Sequence, residues 1–279
     1  MLIVIDPTAR RVDGESVRIA RDVLCAGASD EVRVCVLDGP EALPRVLARR
    51  KGRQLVIVGD DRALLRAVRL LHREGDLAAR PLGLVPVGSS VAVARALGVP
   101  TDAVTASRAV LTGHSRRLDV LSDDAGGLVL GGLGIPAPAG PARAKGWWRG
   151  VPIPRQSRGE RRSGPSRPAW QPRQPWAAVP LRPRARSEQR LRVEADGRLL
   201  ADPERPVAEV SVRPAGGLAD VVVRTGPKGN EVRARASSVT VSGSTGFSYR
   251  ANAVDLGPTR ARTWTVLPGA LRLTVPDRA

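Results

Sequence analysis

The sequence predicts an α/β protein with a Rossmann-like, doubly wound N-terminal domain followed by an antiparallel β-rich C-terminal domain. Three observations carry this reading. Over about 100 N-terminal residues, short apolar runs alternate with amphipathic helical patterns, the mark of βα units around a parallel sheet. Beyond residue 190, short strand-like segments recur between turn residues without any helical period. Between the two lies a Pro- and Arg-rich stretch with no apolar period of either kind. The 279 residues suffice for two cores, and with only 3% aromatics those cores must be packed chiefly by Val, Leu and Ala.

Taken in order, residues 2–5 (Leu-Ile-Val-Ile) form a first buried strand that ends in an Asp6-Pro7-Thr8 turn. A helix follows from about Gly14, with Val17, Ala20 and Leu24 on one face. Residues 32–37 form a second strand, and Pro40 opens a helix whose apolar face is Leu43, Val46 and Leu47. The third unit organises the rest: Leu55-Val56-Ile57-Val58 runs into Gly59-Asp60-Asp61-Arg62 and then into a helix carrying Leu64, Val68 and Leu71. A β-branched run of this kind suits a strand covered on both faces, and Asp60 or Asp61 can cap the helix. Such a turn offers free N–H groups at the positive end of a helix dipole, where open α/β sheets hold phosphates. Residues 82–86 are a fourth strand, followed by Val87-Gly88-Ser89-Ser90 and a helix through Val93, Ala94 and Leu97 that Gly98 and Pro100 close. A further helix spans 101–111, after which 117–121 and 127–130 read as strands and 131–140 as turns. In the C-terminal part, 191–195 and 198–200 flank an Asp196-Gly197 turn. Strands follow at 207–212, 220–224, 231–236, 239–242, 247–251, 263–267 and 271–275, with Gly243-Ser244-Thr245-Gly246 as a hairpin loop. The domains expected are 1–140, a basic linker at 141–190 that is disordered by composition, and 191–279.

Lys and Arg number 45 against 27 Asp and Glu, a formal charge of +18, which favours a polyanionic partner. Twelve of the basic residues, against two acids, fall between Lys145 and Arg190. The same segment holds eight prolines and Trp147, Trp148, Trp170 and Trp176. Trp interleaved with Arg suits either an anionic membrane surface or single-stranded nucleic acid; a solvated linker is the simpler reading. Cys25 and Cys35 read as reduced core residues and cannot build a zinc site by themselves. No cluster has metal-ligand spacing, and His72 and His114 read as solvated or capping residues. With no leader-like or membrane-spanning segment evident, the chain is expected in the cytoplasm, with at most peripheral contact to a membrane.

The turns at Asp6, Gly59 and Gly88 carry a resemblance. Val58-Gly59-Asp60-Asp61-Arg62 is similar to the Gly-Gly-Asp-Gly-Thr of diacylglycerol kinase catalytic domains and of their sphingosine kinase and NAD kinase relatives. Pro86-Val87-Gly88-Ser89, then Ala94-Arg95 and Leu97-Gly98-Val99-Pro100, resembles the family's Pro-x-Gly-Thr-x-Asn-Asp and the segments that follow it, spacing included. Asp6-Pro7 stands where the family has Asn-Pro, and residues 268–276 look like the family's late strand. The departures are equally specific. The family's Asn and Asp are Val91 and Ala92 here, and its Asp-Gly-Glu, which carries the presumed general base, is Arg250-Ala251-Asn252.

The resemblance implies ATP and Mg²⁺ as cofactors and a nucleotide site lined by Asp6, Gly59, Asp60, Arg62, Gly88 and Ser89. Asp60 is then the catalytic candidate, as base or as Mg²⁺ ligand, with Asp255 as a remoter one. Phosphoryl transfer depends on positioning and charge neutralisation. Asp61 is therefore expected to set a negative charge where backbone should approach phosphate, with Arg62 as a compensating bidentate cation. Asn252 cannot serve as a base at neutral pH. Three readings stay open: an ATP-dependent kinase for a lipid or other hydroxyl acceptor; a catalytically inactive pseudokinase acting as ligand sensor or scaffold; and an anionic membrane or nucleic-acid binder acting through 145–190.

Overall fold

The computed structural model describes residues 1–136, 189–226 and 230–277. The N-terminal half is built on a four-stranded parallel sheet, with β1 at Leu2–Ile5, β2 at Arg33–Val36, β3 at Leu55–Gly59 and β4 at Gly83–Pro86. The order is β2-β1-β3-β4. The chain thus winds one way from β1 and the other way from β3, and ligands in open α/β sheets sit in the crevice at that reversal.

Side chains alternate between the two faces as strand geometry requires. Ile3, Ile5, Val56, Val58 and Val85 pack against α2 (Gly14–Gly27) and α6 (Ala103–Thr112). Leu2, Val4, Leu55, Ile57 and Leu84 pack against α3 (Leu43–Ala48), α4 (Asp61–Arg73) and α5 (Ala92–Ala96). The central strands β1 and β3 are buried throughout, which is why their sequences are unbroken apolar runs. Strand β2 is an edge, and its Val34 and Val36 are exposed.

The expected Asp6-Pro7-Thr8 turn is instead the start of a short helix, α1 (Pro7–Val12), with Asp6 as N-cap and Pro7 in its first turn. Pro lacks the N–H that a first-turn residue leaves unbonded, so the position costs nothing. Of the two cysteines expected in the core, Cys35 packs against it and Cys25 does not. Cys25 is exposed on α2 outside the Val17, Ala20, Leu24 stripe, and Cys35 lies half-buried on the edge strand.

The remaining strands form one antiparallel system: β5 (His114–Asp123), β6 (Leu128–Val129), β7 (Leu133–Ile135), β8 (Arg192–Ala195), β9 (Arg198–Ala201), β10 (Val207–Ala215), β11 (Leu218–Thr225), β12 (Asn230–Ala236), β13 (Ser238–Ala251) and β14 (Val254–Val275). Its main path runs β12-β11-β10-β7-β13-β14-β5-β6, with β8 on β13 and β9 on β8. Strands β5 to β7, inside the first 140 residues, pair within this second sheet. The core here gathers Phe247, Tyr249 and Trp264, the last two in edge-to-face contact at 5.2 Å.

Three local expectations are corrected. Residues 133–135, read as part of a turn-rich stretch, form β7 between β10 and β13. The Gly243–Gly246 segment is no hairpin loop. It lies inside β13, where the register to β14 slips between Ser242 and Phe247. The reversal falls instead at Asn252 and Ala253, both at positive φ (+50° and +62°) between the paired Ala251 and Val254, the geometry of a two-residue I′ hairpin. Likewise 263–267 and 271–275 are one strand, β14, broken only by a slip around Gly269.

That long last strand returns to the first sheet. Leu273 forms a parallel bridge with Leu82, Leu82 N–H donates to Arg272 O (2.8 Å), and Thr274 N–H donates to Leu82 O (2.9 Å). Leu271, Leu273 and Val275 thereby complete the core under α4 and α5. No helix among the described residues is long and apolar enough to cross a membrane. The Arg/Trp segment and nearly all of the expected 141–190 linker lie outside the described residues.

Candidate functional site

The ends of β1, β3 and β4 meet. Asp6 N–H donates to Val58 O (2.9 Å) and Val87 N–H to Gly59 O (3.0 Å). A Cβ on Gly59 would lie 2.7 Å from Ala63 Cβ and 3.0 Å from Asp6 Cβ, and one on Gly88, at φ +130°, would lie 3.1 Å from Asp60 Cβ. The two glycines therefore let β3, β4 and α4 close upon one another. Asp6, Gly59, Asp60 and Gly88 are brought together, with Arg62 and Ser89 exposed around them.

The acids of these turns serve the fold. Asp60 is the N-cap of α4, its Oδ1 accepting from Arg62 N–H (3.0 Å) and Ala63 N–H (3.1 Å). The donors that a phosphate would seek at this helix end are thus met by the protein's own carboxylate. Oδ2 of Asp60 accepts no hydrogen bond among the described residues. Asp6 accepts from Thr8 N–H (2.8 Å) and is ion-paired with Arg66 of α4. Sequence reasoning missed Arg66, although it lies four residues after Arg62 and so one helical turn along.

Asp61 overturns an expectation. Its carboxylate does not face the space over the β3 turn; it reaches the start of α5, where it accepts from Ser90 Oγ (2.9 Å), Val93 N–H (3.0 Å) and Ala94 N–H (3.1 Å). Its own N–H donates to Ser90 O (2.8 Å). One residue therefore opens α4 and caps α5, locking the third βα turn to the fourth. The charge sits against the positive end of a helix, and Arg62 has nothing to neutralise there. Arg62 is exposed and without a hydrogen-bond or ion-pair partner among the described side chains.

At the presumed base position Asn252 bridges to β6: its Oδ1 accepts from Leu130 N–H (2.9 Å) and its Nδ2 donates to Leu128 O (2.6 Å). A carboxylate could make only the first of these bonds. Asp255 is paired with Arg250 at 2.9 Å on the open arm of the hairpin. His114 Nδ1 lies 3.0 Å from Asp277 Oδ1, at the outer end of β5.

A cavity of about 280 Å³ adjoins Gly88. Gly88 and Val91 line it from the β4 turn, and Asp13, Ser16, Thr101 and Asp102 from the starts of α2 and α6. Asp13 and Asp102 cap those helices through Ser16 N–H (3.0 Å) and Thr105 N–H (2.7 Å). The bonds from Ser16 hold the Asp13 carboxyl below its ordinary value. For Asp102 burial pushes upward, but the bonds from Thr105 outweigh it and the net shift is down. Neither residue was singled out from sequence, although Asp13-x-x-Ser16 and Asp102-x-x-Thr105 each carry the spacing of a helix cap. Among the described residues no group of three or more His, Cys, Asp or Glu could hold a metal ion. Asp6 and Asp61 are engaged within the fold, and Oδ2 of Asp60 is the carboxylate oxygen of these turns left open to a Mg²⁺ carried by phosphates.

This arrangement of a parallel sheet, converging glycine turns and a returning antiparallel domain defines a class. Residues 1–122 match the family model of the diacylglycerol kinase catalytic domain, as the turn motifs implied. Over the whole chain the fold is similar to that of a diacylglycerol kinase from Bacillus anthracis str. Sterne, with TM-score 0.65, 13% identity and coverage of 99% of this chain and 96% of that one. Two further structures from the same organism, named only provisionally as diacylglycerol kinases, give TM-scores of 0.66 and 0.67 at 14% and 13% identity. They cover 98% and 99% of this chain and 96% and 97% of their own. No curated protein sequence matches. At such identities the structural likeness is one of fold, and the α/β domain followed by an antiparallel β-rich domain is the fold these proteins share.

Proposed function

We propose that this chain is a diacylglycerol-kinase-like nucleotide binder in which phosphoryl transfer has been lost or severely weakened, so that it acts as a ligand sensor or scaffold. The observation that carries the reading is the commitment of Asp61: its carboxylate is consumed by three hydrogen bonds at the start of α5. The position that the family leaves to a bare glycine has become structural. Asn252, fastened to the backbone of β6, argues the same way. Nucleotide binding itself is supported by the retained Gly59 and Gly88, by the unengaged Arg62, whose guanidinium suits a phosphate, and by the cavity against Gly88 and Val91. Mg²⁺ would accompany the phosphates of the nucleotide rather than sit in a protein site.

A second reading, an active kinase for diacylglycerol or another hydroxyl acceptor, is favoured by one observation, the free Oδ2 of Asp60 beside Gly88. Calorimetric titration of ATP with and without Mg²⁺, run beside an ATP-dependent phosphorylation assay on diacylglycerol micelles, separates the two. The expected result is saturable ATP binding, weakened about tenfold or more by Arg62→Glu, with no acceptor-dependent turnover. Turnover that Asp60→Ala abolishes would establish the kinase. Absence of ATP binding would remove both.

A further inference from the structure

At the opposite end of the parallel sheet, where the strands begin, lies a cavity of about 540 Å³. It adjoins a sequence feature that the site above does not use. Residues 49–53 read Arg-Arg-Lys-Gly-Arg, four cations in five positions. Two of them are neutralised locally, Arg50 by Asp76 and Arg53 by Glu31. Lys51 is exposed and has no such partner among the described residues, and the backbone holds it at φ +48°, a left-handed conformation uncommon for a side chain other than Gly, Asn or Asp. Gly52 follows at φ +74°, and the Arg80 guanidinium lies across it, Nη2 standing 3.1 Å from where a Cβ would be. Arg80 too lacks an acid partner among the described residues.

Lys51 and Arg80 thus line the cavity from two separate segments, and the Arg80 guanidinium lying over Gly52 sits beside the residue that follows Lys51. Among the described residues Asp30 is the one lining carboxylate without an ion-pair partner, and Leu111 supplies an apolar wall. Cations at a helix C-terminus complement its dipole, which accounts for Arg49 and Arg50 at the end of α3 but not for Arg80, which belongs to the approach to β4. We propose that this cavity binds a small phosphorylated anion at a site separate from the strand C-termini. Arg80 holds the phosphate through its planar fork and Lys51 through its point charge. The volume is within the range of small-molecule sites.

Inorganic pyrophosphate is the probe, titrated calorimetrically into the full chain at low and at raised ionic strength. In an Arg62→Glu background, which disables the proposed nucleotide site, saturable binding is expected, weakened by salt and by at least about tenfold when Lys51→Ala and Arg80→Ala are added. Both side chains are exposed, so the added substitutions should keep the parent melting transition. Binding in the Arg62→Glu background that survives the added Lys51→Ala and Arg80→Ala, or no saturation there up to about 10 mM pyrophosphate, would overturn the assignment. Because Arg62 lies in the proposed nucleotide site, failure there and failure here give different patterns.

Discussion

At the scale of single residues, the acids of the β1 and β3 turns are bound into the fold by hydrogen bonds and an ion pair. Asp61 gives the sharpest prediction. Replacing it by the glycine of the family pattern removes three hydrogen bonds and leaves Val93 N–H and Ala94 N–H without partners inside the protein. Losing charge-assisted bonds at a buried position costs on the order of 3 kcal/mol, and glycine at a helix start adds little relief. Asp61→Gly should therefore lower the urea midpoint markedly without creating kinase activity. A variant as stable as the parent would show that the link between α4 and α5 contributes nothing. The presence of an acid after Asp60 was legible in the sequence, but its direction was not, because its partners lie about thirty residues further along the chain.

Among the elements, the β8–β9 turn links pH to stability. Asp196, at φ +47°, accepts hydrogen bonds from Ser237 N–H, Ser237 Oγ and Ser238 N–H, the last two at 2.8 Å. These bonds, the backbone bond from Ser237 foremost, hold its carboxyl below the ordinary value. A carboxyl depressed in the folded state contributes stability above its unfolded value of about 4, and that contribution is lost as pH falls through the folded value. Urea melts at about pH 6 and about pH 3 should therefore differ less for Asp196→Asn than for the parent; an identical difference would exclude Asp196 from the acid response. The Asp196-Gly197 turn was readable because its residues are the ones such a hairpin demands. The Asn252-Ala253 turn was not, since alanine gives no turn signal, and the glycines at 243 and 246 drew the hairpin to the wrong place. Within β13 those glycines serve a register slip instead.

Across the whole molecule, the two halves are tied by the last strand. Leu271, Leu273 and Val275 fill the core beneath α4 and α5, and Leu82 exchanges hydrogen bonds with residues 272 and 274. Burying three such side chains contributes about 5 kcal/mol, comparable with the whole stability of a domain this size. A fragment of residues 1–122, the part that the family model matches, should then lack a cooperative urea transition by far-UV circular dichroism and show poor amide dispersion by NMR. Adding residues 268–277 as a separate peptide should restore part of both. A fragment that melts as sharply as the intact chain would make the returning strand dispensable.

What the sequence determined by itself is what rests on neighbours along the chain: the βα units, whose apolar period identifies them, the glycines where strands must close on a helix, and the family resemblance of three turns. The outcomes that depend on distant partners were decided only in three dimensions. Asp61 turns to α5 because unbonded N–H groups wait there. Asn252 is held by β6, Arg66 finds Asp6 at the end of β1, and β14 runs back to Leu82 because an edge strand and an incomplete core offer it both hydrogen bonds and apolar surface. Local pattern records which groups a segment can offer. Which group answers it is settled by the packing of the whole.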